Sequence, residues 1–123
     1  MRILLIDDDQ DICQLTAKVL TKNGYIVDAF YDAKTAVKHA RENKPDLILM
    51  DVMLPGLTGP EIVKLLQGDY QFKDVPVIFL TGLVSGDDEE SDEGMVVGGM
   101  RYQTLGKPYE IEKLLAMVKI HDQ

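Results

Sequence analysis

The chain has 123 residues, of which 46% are hydrophobic and 28% are charged, and this balance excludes a disordered or a membrane-embedded protein. Its formal net charge of −8 disfavours direct binding of nucleic acid, because contacts with phosphates need lysine and arginine. The apolar runs, such as LILM at 47–50, are far shorter than the roughly 20 residues of a membrane span. We therefore expect one domain over residues 1–123, with neither nucleic acid nor a membrane as a direct partner.

The single cysteine, Cys13, excludes an internal disulfide, and the opening sequence MRILLI is followed by no signal-peptide cleavage site. A reducing cytoplasm is the simplest setting for such a chain. Cys13 lies in a helical pattern and is interpreted as a small, semi-buried residue rather than a reactive thiol.

The first half of the chain alternates short apolar runs with amphipathic patterns. The run RILLI at 2–6 is too short for a buried helix and predicts a buried strand. A helix follows, which begins at Asp9 as its N-cap and ends at Asn23-Gly24. Its predicted inward residues are Ile12, Leu15, Val19 and Leu20. A second strand is predicted at 25–30 and a second helix at 33–43, with inward residues Ala33, Ala36, Val37 and Ala40.

The second half repeats this alternation. A third strand is predicted at 46–51, and Thr58 with Glu61 form a capping box for the third helix. The inward residues of that helix are predicted to be Ile62, Val63, Leu65 and Leu66. A fourth strand is predicted at 75–81 and a fifth at 101–106. The last helix is predicted to face inward with Ile111, Leu114, Leu115 and Val118.

The stretch 83–99 between the last two strands is rich in acidic residues and glycine. Each glycine disfavours a helix by about 1 kcal/mol relative to alanine, so we expect a fourth helix here to be short, displaced or mobile. The acidic residues are interpreted as a solvated segment, with a docking surface as the alternative, and they are Asp87, Asp88, Glu89, Glu90, Asp92 and Glu93.

Five strand–helix alternations predict an α/β fold with a doubly wound, five-stranded parallel sheet and helices on both faces. Right-handed crossovers place the carboxyl ends of parallel strands at one edge, where doubly wound sheets bind their ligands. Four strands deliver polar residues to this edge, namely Asp7-Asp8-Asp9, Asp51, Thr81 and Lys107-Pro108.

Aspartates gathered without a counter-charge would raise one another's pKa, and a divalent cation removes that conflict. Mg²⁺ prefers oxygen ligands and is usually held by one or two carboxylates with waters and a phosphate. A carboxylate such as Asp51 can also act as a nucleophile and accept a phosphoryl group. Lys107 would then balance charge on the phosphoryl oxygens, and Thr81 would donate a hydrogen bond to them.

Four motifs, in this order, resemble the receiver domain of two-component response regulators: LLIDDD, DLILMDVMLPGLTG, VPVIFLTG and GKPYEIEKLL. The resemblance covers nearly the whole chain and implies a flavodoxin-like strand order of 2-1-3-4-5. It implies that Asp51 is the phosphoacceptor and that Mg²⁺ is held by Asp7, Asp8, Asp51 and the backbone carbonyl of Met53. Asp8 would be the more direct ligand, and Asp7 would act partly through water.

The same resemblance implies that Thr81 is the switch hydroxyl and that Lys107 precedes a cis bond to Pro108. The phosphoryl group would come from a phosphohistidine of a histidine kinase or a histidine phosphotransfer protein. The surface of the fourth helix, fifth strand and fifth helix would then signal to an unknown downstream protein or a missing C-terminal output domain. Such a protein is not an enzyme, although it assists its own phosphorylation and dephosphorylation.

The region between Thr81 and Lys107 departs from the family pattern. The aromatic switch residue of the family lies three before the lysine, where this chain has Thr104. Tyr102 shares a strand face with Thr104 and is the candidate for the aromatic role. The two residues that flank the approach of water in the family are here Met53 and Leu83, both apolar, which predicts slow autodephosphorylation.

Two alternatives remain open at this point. A degenerate receiver would only bind partners, and its usual sign is loss of the acids, the threonine or the lysine, all of which are present. A Mg²⁺-dependent phosphohydrolase of the haloacid dehalogenase type also uses an aspartate nucleophile after a strand. Its second acid, two residues further on, corresponds to Met53 here, and nothing resembles its cap domain.

Overall fold

The structure is a computed structural model that describes residues 1–82 and 94–122. In this part of the chain the sheet has six strands: β1 (Arg2–Ile6), β2 (Ile26–Phe30), β3 (Leu47–Asp51), β4 (Val77–Thr81), β5 (Met95–Val97) and β6 (Met100–Gly106). The α-helices described there are α1 (Gln10–Lys22), α2 (Ala33–Glu42), α3 (Gly59–Gln67) and α4 (Ile111–Ile120). A short 3₁₀ helix, Tyr70–Phe72, follows α3.

The sheet order is β2-β1-β3-β4-β6-β5, and every pairing from β2 to β6 is parallel. Since β6 is the predicted fifth strand, the doubly wound parallel sheet and its order 2-1-3-4-5 are confirmed. The order reverses at β1, because β2 lies on one side of it and β3 on the other. This switch point places the ends of β1 and β3 at the edge where a ligand is expected.

An added strand, β5, pairs antiparallel with β6 at the border of the sheet. The two strands are joined by Gly98-Gly99, whose φ angles of 56° and 82° suit glycine in a two-residue hairpin turn. Residues 95–97 therefore form a strand within the stretch for which we predicted a short, displaced or mobile helix. The rest of that prediction, with the six acidic residues, falls on 83–93 and lies outside the described residues.

Helices cover both faces of the parallel sheet, because its strands carry apolar side chains on both faces. The face under α1 and α4 contains Ile3, Leu5, Cys13, Leu20, Leu47, Leu49, Ile78, Leu80, Leu105, Leu114 and Val118. The face under α2 and α3 contains Leu4, Ile6, Ala33, Ala36, Ala40, Ile48, Met50, Ile62, Val63, Leu66 and Phe79. Within residues 1–82 and 94–122, no helix reaches the length and apolarity needed to cross a membrane.

The predicted helix caps are confirmed, but the prediction that Leu15 and Leu65 face inward is wrong. The Oδ1 atom of Asp9 accepts a hydrogen bond from the Ile12 amide, and Thr58 with Glu61 form the capping box. Leu15 and Leu65, however, are 58% and 60% exposed. In α1 the buried face is formed by Cys13, Thr16 and Leu20, and Thr16 can face inward because its hydroxyl has a partner there. In α3 the buried residues Ile62, Val63 and Leu66 define a stripe that excludes Leu65.

Candidate functional site

Backbone hydrogen bonds align the carboxyl ends of the parallel strands at one edge. The Val52 amide donates to the Leu80 carbonyl at 2.9 Å, and the Lys107 amide donates to the Thr81 carbonyl at 2.7 Å. These bonds continue the parallel ladders by one residue past β3 and β6. The residues at the carboxyl ends of β1, β3, β4 and β6 are therefore held side by side, as the sequence predicted.

Three aspartates meet at this edge. Asp7 has no exposed surface, Asp51 is 6% exposed and Asp8 is exposed. One carboxylate oxygen of each lies within 4.8 Å of the others. Two buried carboxylates at this separation are unfavourable unless positive charge is supplied nearby.

Lys107 supplies part of that charge. Its Nζ atom lies 2.7 Å from Oδ2 of Asp7 and 3.1 Å from Oδ2 of Asp51, so one ammonium group bridges both buried acids. Burial alone would lower the pKa of Lys107. Asp7 and Asp51 outweigh this effect, because each accepts a hydrogen bond from the ammonium group and each carries a negative charge. The net result is a raised pKa, which keeps Lys107 charged at neutral pH.

Burial raises the pKa of Asp51 to about 6, although the hydrogen bond and charge of Lys107 oppose this effect. The negative charge of Asp7 raises that pKa further, and the Met53 amide lowers it by donating to Oδ1 of Asp51 at 3.2 Å. At neutral pH the Asp51 carboxylate is therefore mostly ionised and yet poorly solvated. This is the form in which a carboxylate can attack phosphorus.

The donor set at this edge fits a hard divalent cation. Three carboxylates converge, and the buried Oδ2 of Asp7 lies beside the Lys107 ammonium group. Its other oxygen, Oδ1, accepts from the Asp9 amide at 3.0 Å. The backbone of Met53 borders the same site, because its amide contacts Asp51. Oxygen donors of this kind suit Mg²⁺.

Gly59 fixes the segment between β3 and α3, and the sequence analysis missed it. Its amide donates to the Val52 carbonyl at 2.8 Å. A Cβ atom at this position would lie 2.5 Å from the Asp51 carbonyl oxygen and 3.2 Å from Cε1 of Phe79. Only glycine therefore fits there without movement of the Asp51 backbone. The available signal was a glycine between the cap Thr58 and a proline in the first helical turn.

Tyr109 fixes the segment after Lys107, and it too was missed. The Lys107-Pro108 peptide bond is cis. One residue later the hydroxyl of Tyr109 forms a hydrogen bond with the hydroxyl of Thr16 in α1. Burial raises the pKa of Tyr109, so its hydroxyl stays protonated. This contact ties the chain that carries Lys107 to the helix that follows the aspartate pair.

The remaining predicted site residues lie on β4 and β6. Thr81 is 3% exposed at the end of β4. Thr104 pairs with Phe79 in the β4–β6 ladder. Tyr102 packs its ring edge against Phe79, with the ring centroids 5.7 Å apart, and is only partly buried. Tyr102 and Thr104 thus both neighbour Phe79, and Leu83 lies outside the described residues.

Comparisons with known proteins agree with this arrangement. Residues 3–119 match the family model described as the response regulator receiver domain. The phosphate regulon transcriptional regulatory protein PhoB of Klebsiella pneumoniae is 36% identical over 118 residues, which cover 96% of this chain and 50% of PhoB. The DNA-binding dual master transcriptional regulator RpaA of Synechocystis is also 36% identical, over 96% of this chain and 47% of RpaA. The chain thus spans about half the length of these curated relatives.

Solved structures show the same fold. The chemotaxis protein CheY4 of Vibrio cholerae superposes with a TM-score of 0.82 at 28% identity, over 97% of this chain and 96% of CheY4. The receiver domain of the hybrid histidine kinase CckA superposes with a TM-score of 0.79 at 29% identity, over the full length of both chains. With the family match over 3–119 and the acidic edge of the sheet, these findings establish that the chain belongs to the response regulator receiver domain family.

Proposed function

We propose that this chain is a phosphoryl-accepting signalling switch in the cytoplasm, with the domain taking in all of residues 1–123. Asp51 would accept the phosphoryl group from a phosphohistidine of a histidine kinase or a histidine phosphotransfer protein. The observation that carries this proposal is the Lys107 ammonium group, which lies within 3.1 Å of two buried carboxylates at the ligand-binding edge of the sheet. The function is that of a switch and not of an enzyme with turnover.

In the transfer step an oxygen of the Asp51 carboxylate attacks phosphorus while the phosphorus–nitrogen bond to the donor imidazole breaks. The imidazole keeps the bonding electron pair and takes a proton. Lys107 balances charge on the transferred group, and the Thr81 hydroxyl donates a hydrogen bond to it.

Asp7, Asp8, Asp51 and the Met53 carbonyl would hold Mg²⁺, with Asp8 the more direct ligand. When bound, the cation supplies positive charge against the phosphoryl oxygens. Burial of Asp7 and exposure of Asp8 support the assignment of Asp8 as the more direct ligand, because the exposed carboxylate can reorient towards an ion from solvent.

Signal output would begin at the strands that carry Thr81 and Lys107. Movement of these residues towards a phosphoryl group would pull on β4 and β6 and so on the hairpin at the border of the sheet. Thr81, Thr104 and Tyr102 are the proposed switch residues, because Thr104 and Tyr102 both lie along Phe79. The receiving partner would be a downstream protein or an output domain of the same protein, as the regulatory names of PhoB and RpaA suggest.

Incubation with acetyl phosphate and Mg²⁺, followed by intact-mass and peptide analysis, tests the proposal. The expected result is one added phosphoryl group, located at Asp51 and lost in Asp51→Asn. Asp9→Asn is the matched control, since asparagine keeps the helix N-cap and Asp9 borders the same edge.

Modification of Asp51→Asn would assign the nucleophile to another residue. A parent protein that takes no phosphoryl group and binds no beryllofluoride would be a degenerate receiver. Steady release of phosphate from small phosphate esters would indicate a hydrolase.

A further inference from the structure

The side-chain amide of Gln67 joins α3 to both strands of the β5–β6 hairpin. Its Nε2 atom donates to the Val97 carbonyl of β5 at 2.9 Å and to the Tyr102 hydroxyl of β6 at 2.7 Å. Gln67 is the last residue of α3, so one primary amide group connects the end of that helix to two strands. Both protons of the amide are used in these two bonds.

Gly98 makes room for this amide. A Cβ atom on Gly98 would lie 2.2 Å from Oε1 and 3.1 Å from Cδ of Gln67. The φ angle of 56° at Gly98 also favours glycine. The hairpin turn and the Gln67 side chain therefore fit each other closely, and a side chain at residue 98 would displace the amide.

Two packing contacts connect the β5–β6 hairpin and Tyr102 to Asp51, the proposed phosphoacceptor. The Tyr102 ring meets Phe79 edge-on, at an interplanar angle of 84°. Phe79 and the Asp51 backbone also face the same side of Gly59, since a Cβ atom there would lie 3.2 Å from Cε1 of Phe79 and 2.5 Å from the Asp51 carbonyl oxygen. Phe79 lies on β4, two residues before Thr81, and Tyr102 lies on β6, five residues before Lys107. The hairpin is thus attached to the strand that ends in Thr81 and to the strand that precedes Lys107.

We propose that Gln67 is a positioning residue, a latch that holds the β5–β6 hairpin and Tyr102 in the resting arrangement and opposes phosphorylation of Asp51. This inference rests on the proposed function. A shift of β6 towards a phosphoryl group changes its distance from α3, whose N-terminus is held by the capping box and by the bond from Gly59 to Val52. The two bonds from Gln67 therefore stabilise the resting state more than the phosphorylated state.

An interaction that stabilises only the resting state lowers the apparent affinity for any ligand that selects the other state. Breaking the latch should therefore strengthen the binding of a phosphoryl analogue, although the latch lies outside the site. A residue with a merely structural role would not have this effect.

The test compares beryllofluoride affinity, measured with Mg²⁺, in the parent and in Gln67→Met, which keeps the length of the side chain but donates no hydrogen bond. We expect the affinity to rise about fivefold to tenfold, as loss of one or two hydrogen bonds from the resting state requires. Hydrogen exchange of residues 95–102 should become faster without the analogue. Gly98→Ala should act in the same direction by displacing the amide, and it provides an independent variant if Gln67→Met folds poorly.

Gln14→Met is the matched control. The Gln14 side chain donates to the Tyr31 hydroxyl at 3.0 Å, a bond of the same chemistry between α1 and the end of β2. Its loss should leave the affinity unchanged. Equal affinity in the parent, Gln67→Met and Gly98→Ala would overturn the latch while leaving the proposed function intact. A parent that binds no beryllofluoride would overturn the proposed function, and the latch with it.

Discussion

The ammonium group of Lys107 lies 2.7 Å from Oδ2 of Asp7, a side chain with no exposed surface. Asp7 is therefore more than a candidate metal ligand, because it also anchors the lysine that reaches Asp51. An ion pair in this position keeps Lys107 at the site whether or not Asp51 carries a charge. Removing one partner would leave the other as an uncompensated buried charge.

Lys107→Met should lower the free energy of unfolding by about 3 kcal/mol in EDTA, because it leaves two buried carboxylates without their cation. Adding Asp7→Asn to this variant should recover part of the loss, since one of those charges is then removed. Denaturant unfolding of the two single variants and the double variant measures the coupling between the residues. Additive effects would contradict a direct pair.

Asp8→Asn should abolish detectable Mg²⁺ binding in titration calorimetry or in a metal-dependent fluorescence assay. The exposed Asp8 carboxylate is the one among the three that can turn towards an incoming ion, and two buried acids paired with Lys107 offer little further charge. Asp9→Asn, the neighbouring control, should bind Mg²⁺ as the parent does. Equal binding by Asp8→Asn and the parent would place the cation elsewhere.

Asp51→Asn should stabilise the metal-free protein at neutral pH. The folded-state pKa of Asp51, about 6, exceeds its ordinary value of 3.8, so between these values the folded state binds a proton that the unfolded state does not. The contribution of Asp51 to stability is therefore present at low pH and is lost as pH rises through the folded pKa. We expect about 1 to 3 kcal/mol of stabilisation in EDTA, based on 1.36 kcal/mol per pKa unit. A difference between parent and variant that shrinks with rising pH would contradict the direction of this shift.

Gly59→Ala should destabilise the fold by about 1 to 3 kcal/mol and slow phosphorylation, since the new methyl group would force the Asp51 backbone to move. Gly68→Ala is the control, because a Cβ atom there would lie at an ordinary 3.5 Å from the Leu65 carbonyl, with φ of −80°. Thermal unfolding and the initial rate of acetyl phosphate labelling measure the two effects. Unaltered labelling in Gly59→Ala would show that this close approach does not position the nucleophile.

Met53→Asn should shorten the lifetime of phosphorylated Asp51 by about three- to tenfold, equivalent to roughly 0.6 to 1.4 kcal/mol in the barrier. Met53 is 57% exposed next to Asp51 and cannot orient a water strongly, whereas asparagine can. Met53→Leu should leave the lifetime unchanged. The decay of the labelled protein after removal of the phosphoryl donor gives both values, and a slower decay in Met53→Asn would oppose this account of water access.

The parallel sheet and the residues at its edge could be predicted from the sequence, because each strand is an apolar run that ends in a polar residue. The Lys107 bridge could not, since it depends on the register that places Gly106 beside Thr81. The hairpin signal was present in MVVGGMRYQ, where two glycines separate residues of high strand propensity, but the expectation of a helix outweighed it.

The buried face of a helix was harder to predict than the positions of the helices and strands. Leu15 follows Ile12 by three residues and fits an apolar stripe, yet the stripe that packs contains Cys13 and Thr16. A threonine faces the core there because Tyr109 supplies a hydroxyl partner from a position 93 residues away. Such a pairing leaves no periodic signal in the sequence, and Leu15 is consequently exposed.

The short strand β5 also affects how this protein would behave at high concentration. β6 spans seven residues, and a strand of that length at the border of a sheet can template pairing with another chain. β5 pairs with its first three residues and is itself only three residues long, ending at the Gly98-Gly99 turn. An edge this short gives an incoming strand few backbone groups to pair with. The hairpin therefore covers the first three residues of β6 against edge-to-edge pairing with another chain.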